Sequence, residues 1–455
     1  MNNLGWLAIV RLGLVQTALG AIIVLTTSTI NRVMVVELAL PAMLPGILVA
    51  LHHFVQMARP RFGYGSDVGG RRTPWIIGGM TVLAGGGVLA AVATALMADS
   101  VVTGTVVAFI AFVLIGLGAG AAGTSLLVLL AKRVAPERRP AAAAIVWIMM
   151  IAGFAVTAGT AGHFLDPYSP ERLVAVTSVV SVSAVLLTLV TLYGLEGKQQ
   201  PVEAQLSATS AEAAAGAMPA FRTALREIWQ EQEARHFTIF VFVSMVAYSA
   251  QDLILEPYAG MVFGMTPGES TQMAGVQHSS VLLGMLIVAA SGTLLRTAPG
   301  NMLRWWTVGG CLASALALLG IAVGGASAPD WPLTANVFAL GVANGAFAVA
   351  AIASMMTLAG HGTARREGLR MGLWGAAQAI AFALGGFLGT VAVDITRHFS
   401  AEPATAYALV FGAEAILFIL AAWLGAATRA DRSAPGRSAR PSFGEVAMTT
   451  VFQDR

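Results

Sequence analysis

Residues 51–73 read LHHFVQMARPRFGYGSDVGGRRT. An apolar run carrying His52 and His53 gives way here to a glycine-rich loop with one aspartate and a closing pair of arginines. A helix needs about 20 apolar residues to cross a hydrocarbon core, and runs of that length lie on both sides of this loop. Composition agrees, since 57% of the 455 residues are hydrophobic, 11% are charged and the mean hydropathy is +0.76. Soluble domains carry about a quarter charged residues, so this chain has too few polar side chains to cover a water-facing surface. The sequence predicts an all-α integral membrane protein with the lipid bilayer as its first partner and no nucleic-acid partner.

Apolar runs divided by charges, Pro and Gly fall at 12–30, 40–58, 74–97, 101–130, 141–163, 173–194, 237–257, 273–295, 302–323, 333–359, 371–393 and 404–427. Twelve transmembrane helices are expected. The first run is too long for a secretory signal and no small-residue cleavage site follows it, so it reads as a retained helix. The lone Cys311 lies in an apolar run and excludes a disulfide framework.

Lys and Arg gather on the cytoplasmic side of membrane proteins. With the N-terminus placed inside, 23 of the 26 basic residues fall in cytoplasmic segments, and Arg32, Arg172 and Arg397 stand outside. A missed helix would scramble that split, so it supports both the count and the orientation, with both termini cytoplasmic.

The longest polar stretch, 195–236, divides the spans six and six. The expected organisation is an N-terminal six-helix bundle (1–194), a cytoplasmic linker (195–236), a C-terminal six-helix bundle (237–427) and a disordered cytoplasmic tail (428–455). The linker opens on an Ala/Ser/Gln-rich part. It ends in FRTALREIWQEQEARHF, whose Phe221, Leu225, Ile228 and Trp229 share a helical face suited to the membrane surface.

Six plus six helices around a central linker is the outline of the major facilitator superfamily, whose halves are parallel repeats. That superfamily carries, after helix two, a pattern of Gly, three residues, Asp, then Gly three further on and basic residues. Gly63, Asp67, Gly70, Arg71 and Arg72 match it, with Val68 where Arg is common. A carboxylate here can pair with arginines or a facing helix N-terminus and latch the halves together; the plainer reading is a tight solvated turn. The loop after helix eight, SGTLLRTAPGN, has no aspartate, so the second latch is degenerate. KRVAPERRP (132–140) and HGTARREGLR (361–370) stand at equivalent places in the halves and echo one another.

Three stretches go further: TINRVMVVELALPAMLPG (29–46), RPRFGYGSDVGGRRTPWIIGG (59–79) and QDLILEPYAG (251–260). With the twelve-helix frame they resemble the PucC/LhaA family, the bacteriochlorophyll-delivery branch of the superfamily. The GYGSDVGGRRTP form is most similar to members labelled accessory chains of bacteriochlorophyll synthase. The resemblance implies a carrier or assembly factor in a photosynthetic, intracytoplasmic inner membrane, with no enzymatic reaction. It implies bacteriochlorophyll or a precursor as the bound group, no metal held by the protein itself, and the synthase and light-harvesting or reaction-centre subunits as partners.

Ionisable groups at membrane depth default to function. His52 and His53 lie roughly 10 Å inside the cytoplasmic boundary at ~1.5 Å per residue. Imidazole is a good fifth ligand for a chlorin magnesium, and with the resemblance His52 is preferred because Gln56 shares its face; the alternative is a histidine hydrogen-bonded to a neighbouring helix. His278 is a second pigment-ligand candidate. Gln251, Asp252 and Glu256 on helix seven read as a proton-coupling group or a half-solvated periplasmic gate, with Arg32, Glu37 and Glu256 expected to cluster. The glycine pairs Gly116/Gly120, Gly341/Gly345 and Gly385/Gly389 allow close helix packing or admission of a flat macrocycle. Three functions stay open: pigment carrier, proton-coupled secondary transporter of a small solute, and ligand-free assembly scaffold.

Overall fold

The computed structural model describes residues 4–58, 71–135, 138–195, 229–294, 299–360, 367–400 and 402–427. They form α1 (Trp6–Val24, continuing to Glu37), α2 (Met43–Val55), α3 (Thr73–Met97), α4 (Val101–Arg133), α5 (Arg139–Leu165), α6 (Pro170–Leu192), α7 (Gln232–Phe263), α8 (Pro267–Leu294), α9 (Pro299–Gly324), α10 (Leu333–Gly360), α11 (Glu367–Phe399) and α12 (Pro403–Ala427). Eleven are long and apolar enough to cross a membrane, and the twelfth, α2, is an apolar helix of shorter length extended by a 3-10 turn to Ala58. Many side chains that face outward are large and apolar, among them Leu7, Val102, Val190, Leu316 and Trp423. Such a surface suits lipid and not water.

The two halves repeat one another in the way their helices pair. In the first half α3 packs on α4 and on α6; in the second, α9 packs on α10 and on α12. Glycines set the same equivalences at closer range. A Cβ on Gly116 of α4 would lie 2.7 Å from the His52 carbonyl of α2, and one on Gly341 of α10 would lie 2.6 Å from the Gln277 carbonyl of α8. Likewise Gly153 of α5 abuts the backbone of Thr17 in α1, while Gly385 and Gly389 of α11 abut the Val246 and Ala250 carbonyls of α7. At Gly116, Gly341, Gly345, Gly385 and Gly389 the space that could have admitted a macrocycle is filled by a neighbouring helix.

The described residues group into two compact units, one within Met1–Pro219 with Asp252–Gly275, the other within Ala220–Gln251 and Val276–Arg455. The end of α7 and the start of α8 thus belong with the first six helices. Of the loop motif, Gly63, Asp67 and Gly70 lie outside the described residues, as do 361–366, residues 221–228 of the expected linker helix and the tail 428–455, while 232–236, placed in the linker by the sequence, form the start of α7. Arg71 is exposed, and Arg72 is buried as the residue capping α3.

Candidate functional site

The second half of α1 carries a run of buried polar residues, Thr26, Ser28, Thr29, Asn31 and Arg32. Its backbone leaves α-geometry twice, in π-helical turns at Leu25–Thr29 and Val33–Glu37, with Ile30–Arg32 between them. π-helical turns are rare and concentrate at functional sites. They present Thr29, Asn31 and Arg32, all buried, to the α7–α8 segment. Thr29 Oγ1 lies 3.1 Å from Thr271 Oγ1 of α8, and Asn31 Nδ2 donates to the Leu253 carbonyl of α7 at 2.7 Å.

The Asn31 bond answers a defect written in the sequence. Pro257 lies inside α7, and proline has no N–H to give the carbonyl four residues earlier, which is that of Leu253. In a membrane such an orphan must be met by a neighbouring helix, and Asn31 meets it. Asn31→Ala is expected to destabilise the protein by about 1–3 kcal/mol, the cost of a buried unsatisfied acceptor. In a Pro257→Ala background, where the backbone N–H returns, the same change should cost less than half as much. Thermal unfolding of the four proteins in one detergent measures both.

Arg32 is 1% exposed. Its guanidinium pairs with Glu37 at 2.5 Å and donates to the Met265 carbonyl at 2.6 Å, while Nε has no partner. It lies across Gly260, where a Cβ would come within 2.9 Å of it. Gly264, at φ +67°, turns the chain at the end of α7 and brings the Met265 carbonyl round. A cation beside the carbonyls at a helix C-terminus is also favoured by the helix dipole.

Asp166, in the α5–α6 loop, completes this end of the unit. It accepts from Thr266 Oγ1 at 2.6 Å and from the Gly268 N–H at 3.1 Å, placing a carboxylate at the N-terminus of α8. Thr266 and Glu269 form a capping box around Pro267: Thr266 Oγ1 accepts from the Glu269 N–H, and Glu269 accepts from the Thr266 N–H. Arg32, Glu37, Asp166, Tyr168, Gly264 and Thr266 line a cleft of about 570 Å³. Tyr168, in the loop, is pushed up to about 12 by burial, with Glu37 adding to the effect and Arg32 opposing it.

The other expected residues are distributed as follows. Glu256 is 4% exposed and not half-solvated; it does not join the Arg32–Glu37 pair, and neither of its carboxylate oxygens has a hydrogen-bond partner. The physical reason is that α7 runs on to Phe263, which places Glu256 about two turns inside the helix end. Asp252 is partly buried, and Gln251 is wholly buried with both amide atoms unpartnered. His52 is 2% exposed, with Nδ1 against the Val49 carbonyl at 3.1 Å, and Gln56 is buried beside it. The His53 ring stands 4.1 Å from that of His52 and is partly exposed, as is His278 of α8 in the other unit. The sequence reading missed Asp166, Thr29, Thr271 and Met265. Only the capping box TPGE at 266–269 was there to be seen locally.

Among the described residues, twelve apolar helices, eleven of them long enough to cross a membrane, pair in two matching sets with polar groups buried among them, as in the major facilitator fold. The chain matches a D-xylose–proton symporter with a TM-score of 0.68 at 12% identity, over 92% of this chain and 97% of that one. It matches a proton-dependent oligopeptide transporter with a TM-score of 0.68 at 13% identity, over 93% and 98%. Such distant likeness establishes the fold alone. Within that fold the chain belongs to the PucC family, whose PUCC protein profile matches residues 29–429. It is 52% identical to the bacteriochlorophyll synthase 44.5 kDa chain of Rhodobacter capsulatus, over 95% of this chain and 97% of that protein. It is 29% identical to protein PucC of the same organism, over 91% and 90%.

Proposed function

We propose that this protein is a membrane carrier and assembly factor that binds bacteriochlorophyll or a precursor and delivers it to synthase or light-harvesting complexes, without catalysing a reaction itself. The observation that carries the reading is the 52% identity, across nearly the full length of both chains, to a protein named as a chain of bacteriochlorophyll synthase. A transporter fold suits the handling of a lipophilic ligand between partners within a bilayer. In this reading the N- and C-termini lie on the cytoplasmic side, the orientation that the positive-inside bias of the arginines supports.

A magnesium tetrapyrrole needs an imidazole with an open face. His52 does not fit that need, because it is 2% exposed and α4 closes on its backbone at Gly116. His53 in the first unit, or else His278 in the second, each partly exposed, would hold the magnesium. The pigment, when bound, supplies the light-absorbing group; the protein's part is to ligate it and keep it from water.

The test is purification in mild detergent from a pigment-producing host, with pigment extracted and partners identified by mass spectrometry. Synthase or antenna subunits are expected in the purified material. His53→Ala or His278→Ala should lose most of the bound pigment, whereas His52→Ala should keep it. A protein without pigment or photosynthetic partners, which instead moves a small solute across liposomes, would reject the proposal.

A further inference from the structure

Glu256 has no role in the pigment reading, and its surroundings call for one. Three contacts fix the face on which it stands. Asn31 reaches the Leu253 carbonyl, one turn before Glu256, and Arg32 lies across Gly260, one turn after it. Glu256 therefore stands on the stripe of α7 that meets α1, a helical turn from the Arg32 guanidinium. Yet that guanidinium is held by Glu37 and the Met265 carbonyl, and both Glu256 oxygens are buried without a partner. An ionised carboxylate so placed would cost several kcal/mol, and a protonated one far less.

We propose that Glu256 is a proton-binding site that controls the grip of α1 on the α7–α8 turn and the start of α8. With the proton on Glu256, Arg32 stays with Glu37 and Met265, as observed here. When Glu256 gives up its proton, Arg32 is a cation within reach; turning to Glu256 ties α1 to α7 but breaks the bond to Met265, and so releases the α7–α8 turn and the start of α8 from α1. The unpartnered Nε of Arg32 and the π-helical turns on either side of it leave room for that exchange. The other charged or titratable groups near this end of α1, α7 and α8 are Glu37 on α1, Asp166 and Tyr168 in the α5–α6 loop, Arg172 on α6, whose guanidinium donates to the Asp166 carbonyl, Asp252 and the buried Tyr258 on α7 and Glu269 on α8; Arg11, Arg235, His236, Tyr248 and His278 lie further along these helices. Asp166 is satisfied by Thr266 and Gly268 in either state. The state in which Arg32 holds Met265 binds one proton more than the released state, so it is favoured at low pH and weakens as pH rises through the titration of Glu256.

Two measurements on the full-length protein in nanodiscs test this, and neither depends on bound pigment. The first is an infrared difference spectrum between low and high pH. It should show the carbonyl stretch of a buried carboxylic acid, lost in Glu256→Gln, shifted in Glu256→Asp and retained in Asp252→Asn. The second is cross-linking of a Thr29→Cys, Thr271→Cys pair, whose parent hydroxyls are 3.1 Å apart. Its rate, divided by the rate for the same pair in a Glu256→Gln background, should fall as pH rises, because the division removes the intrinsic pH response of the thiols. A band that survives Glu256→Gln or is lost in Asp252→Asn, or a rate ratio that stays flat with pH, would overturn the proposal. Should Glu256→Gln fail to fold, an unshifted band in Glu256→Asp overturns it equally.

Discussion

Arg32→Ala is expected to yield little folded protein, with the remainder destabilised by about 3–5 kcal/mol, as when one partner of a buried ion pair is removed. Arg32 holds three elements at once. It neutralises Glu37, caps the end of α7 through Met265 and fills the notch left by Gly260. Alanine would leave Glu37 without its cation and the Met265 carbonyl without its donor. Arg32→Lys keeps the charge but supplies no fork to serve two acceptors, so it should fall between alanine and the native residue. Glu37→Gln should cost less than Arg32→Ala, because Glu37 is less buried and its amide can still accept from Arg32. Thermal unfolding in a fixed detergent ranks the three, and a Glu37→Gln variant less stable than Arg32→Ala would contradict this account of the pair.

Nearly as large an effect is expected where α3 crosses α4. A Cβ on Gly79 would stand 2.6 Å from the Ala122 amide nitrogen, and one on Gly118 would stand 2.3 Å from that of Leu83. Both obstacles are backbone, so no side-chain rotation can relieve them and the helices must part. Overpacking of a core costs about 1–3 kcal/mol, occasionally more, and Gly79→Leu belongs at or above the top of that range. Gly78, the neighbouring residue, has nothing within 4 Å of its Cβ position. Gly78→Leu should therefore leave the unfolding temperature unchanged or raise it slightly through better helix propensity. Equal losses from the two substitutions would mean that the crossing is not where the structure puts it.

Much of this architecture was legible in the sequence because the bilayer enforces it. Apolar runs of fixed length, interrupted by arginines on one side, gave α3 to α6 and α8 to α10 to within a few residues at most ends. The reading stopped α1 at 30 because Asn31, Arg32 and Glu37 are costly in lipid, but the helix runs on to Glu37. Their cost is met internally, by the Arg32–Glu37 pair and by the Leu253 carbonyl, and no local pattern announces those partners. The reading also stopped α7 at Pro257, a fair inference from a residue that breaks helices. Asn31 takes up the bond that Pro257 cannot make, α7 continues, and Glu256 lies deeper than expected. Asp166 escaped notice because its partners are 100 and 102 residues away. His52 is preferred from the sequence because Gln56 shares its face, but helical spacing does not say that α4 packs against that turn of α2 at Gly116.

The proposal that this member of the PucC family carries bacteriochlorophyll can be tested on the protein itself. Its most direct test is the ratio of extracted pigment to protein, by absorption and quantitative amino-acid analysis, after purification in mild detergent from photosynthetic membranes. The account predicts about one tetrapyrrole per chain, reduced severalfold by loss of the ligating histidine. A pure, monodisperse, colourless protein with less than about a tenth of a pigment per chain, from membranes rich in bacteriochlorophyll, would contradict it.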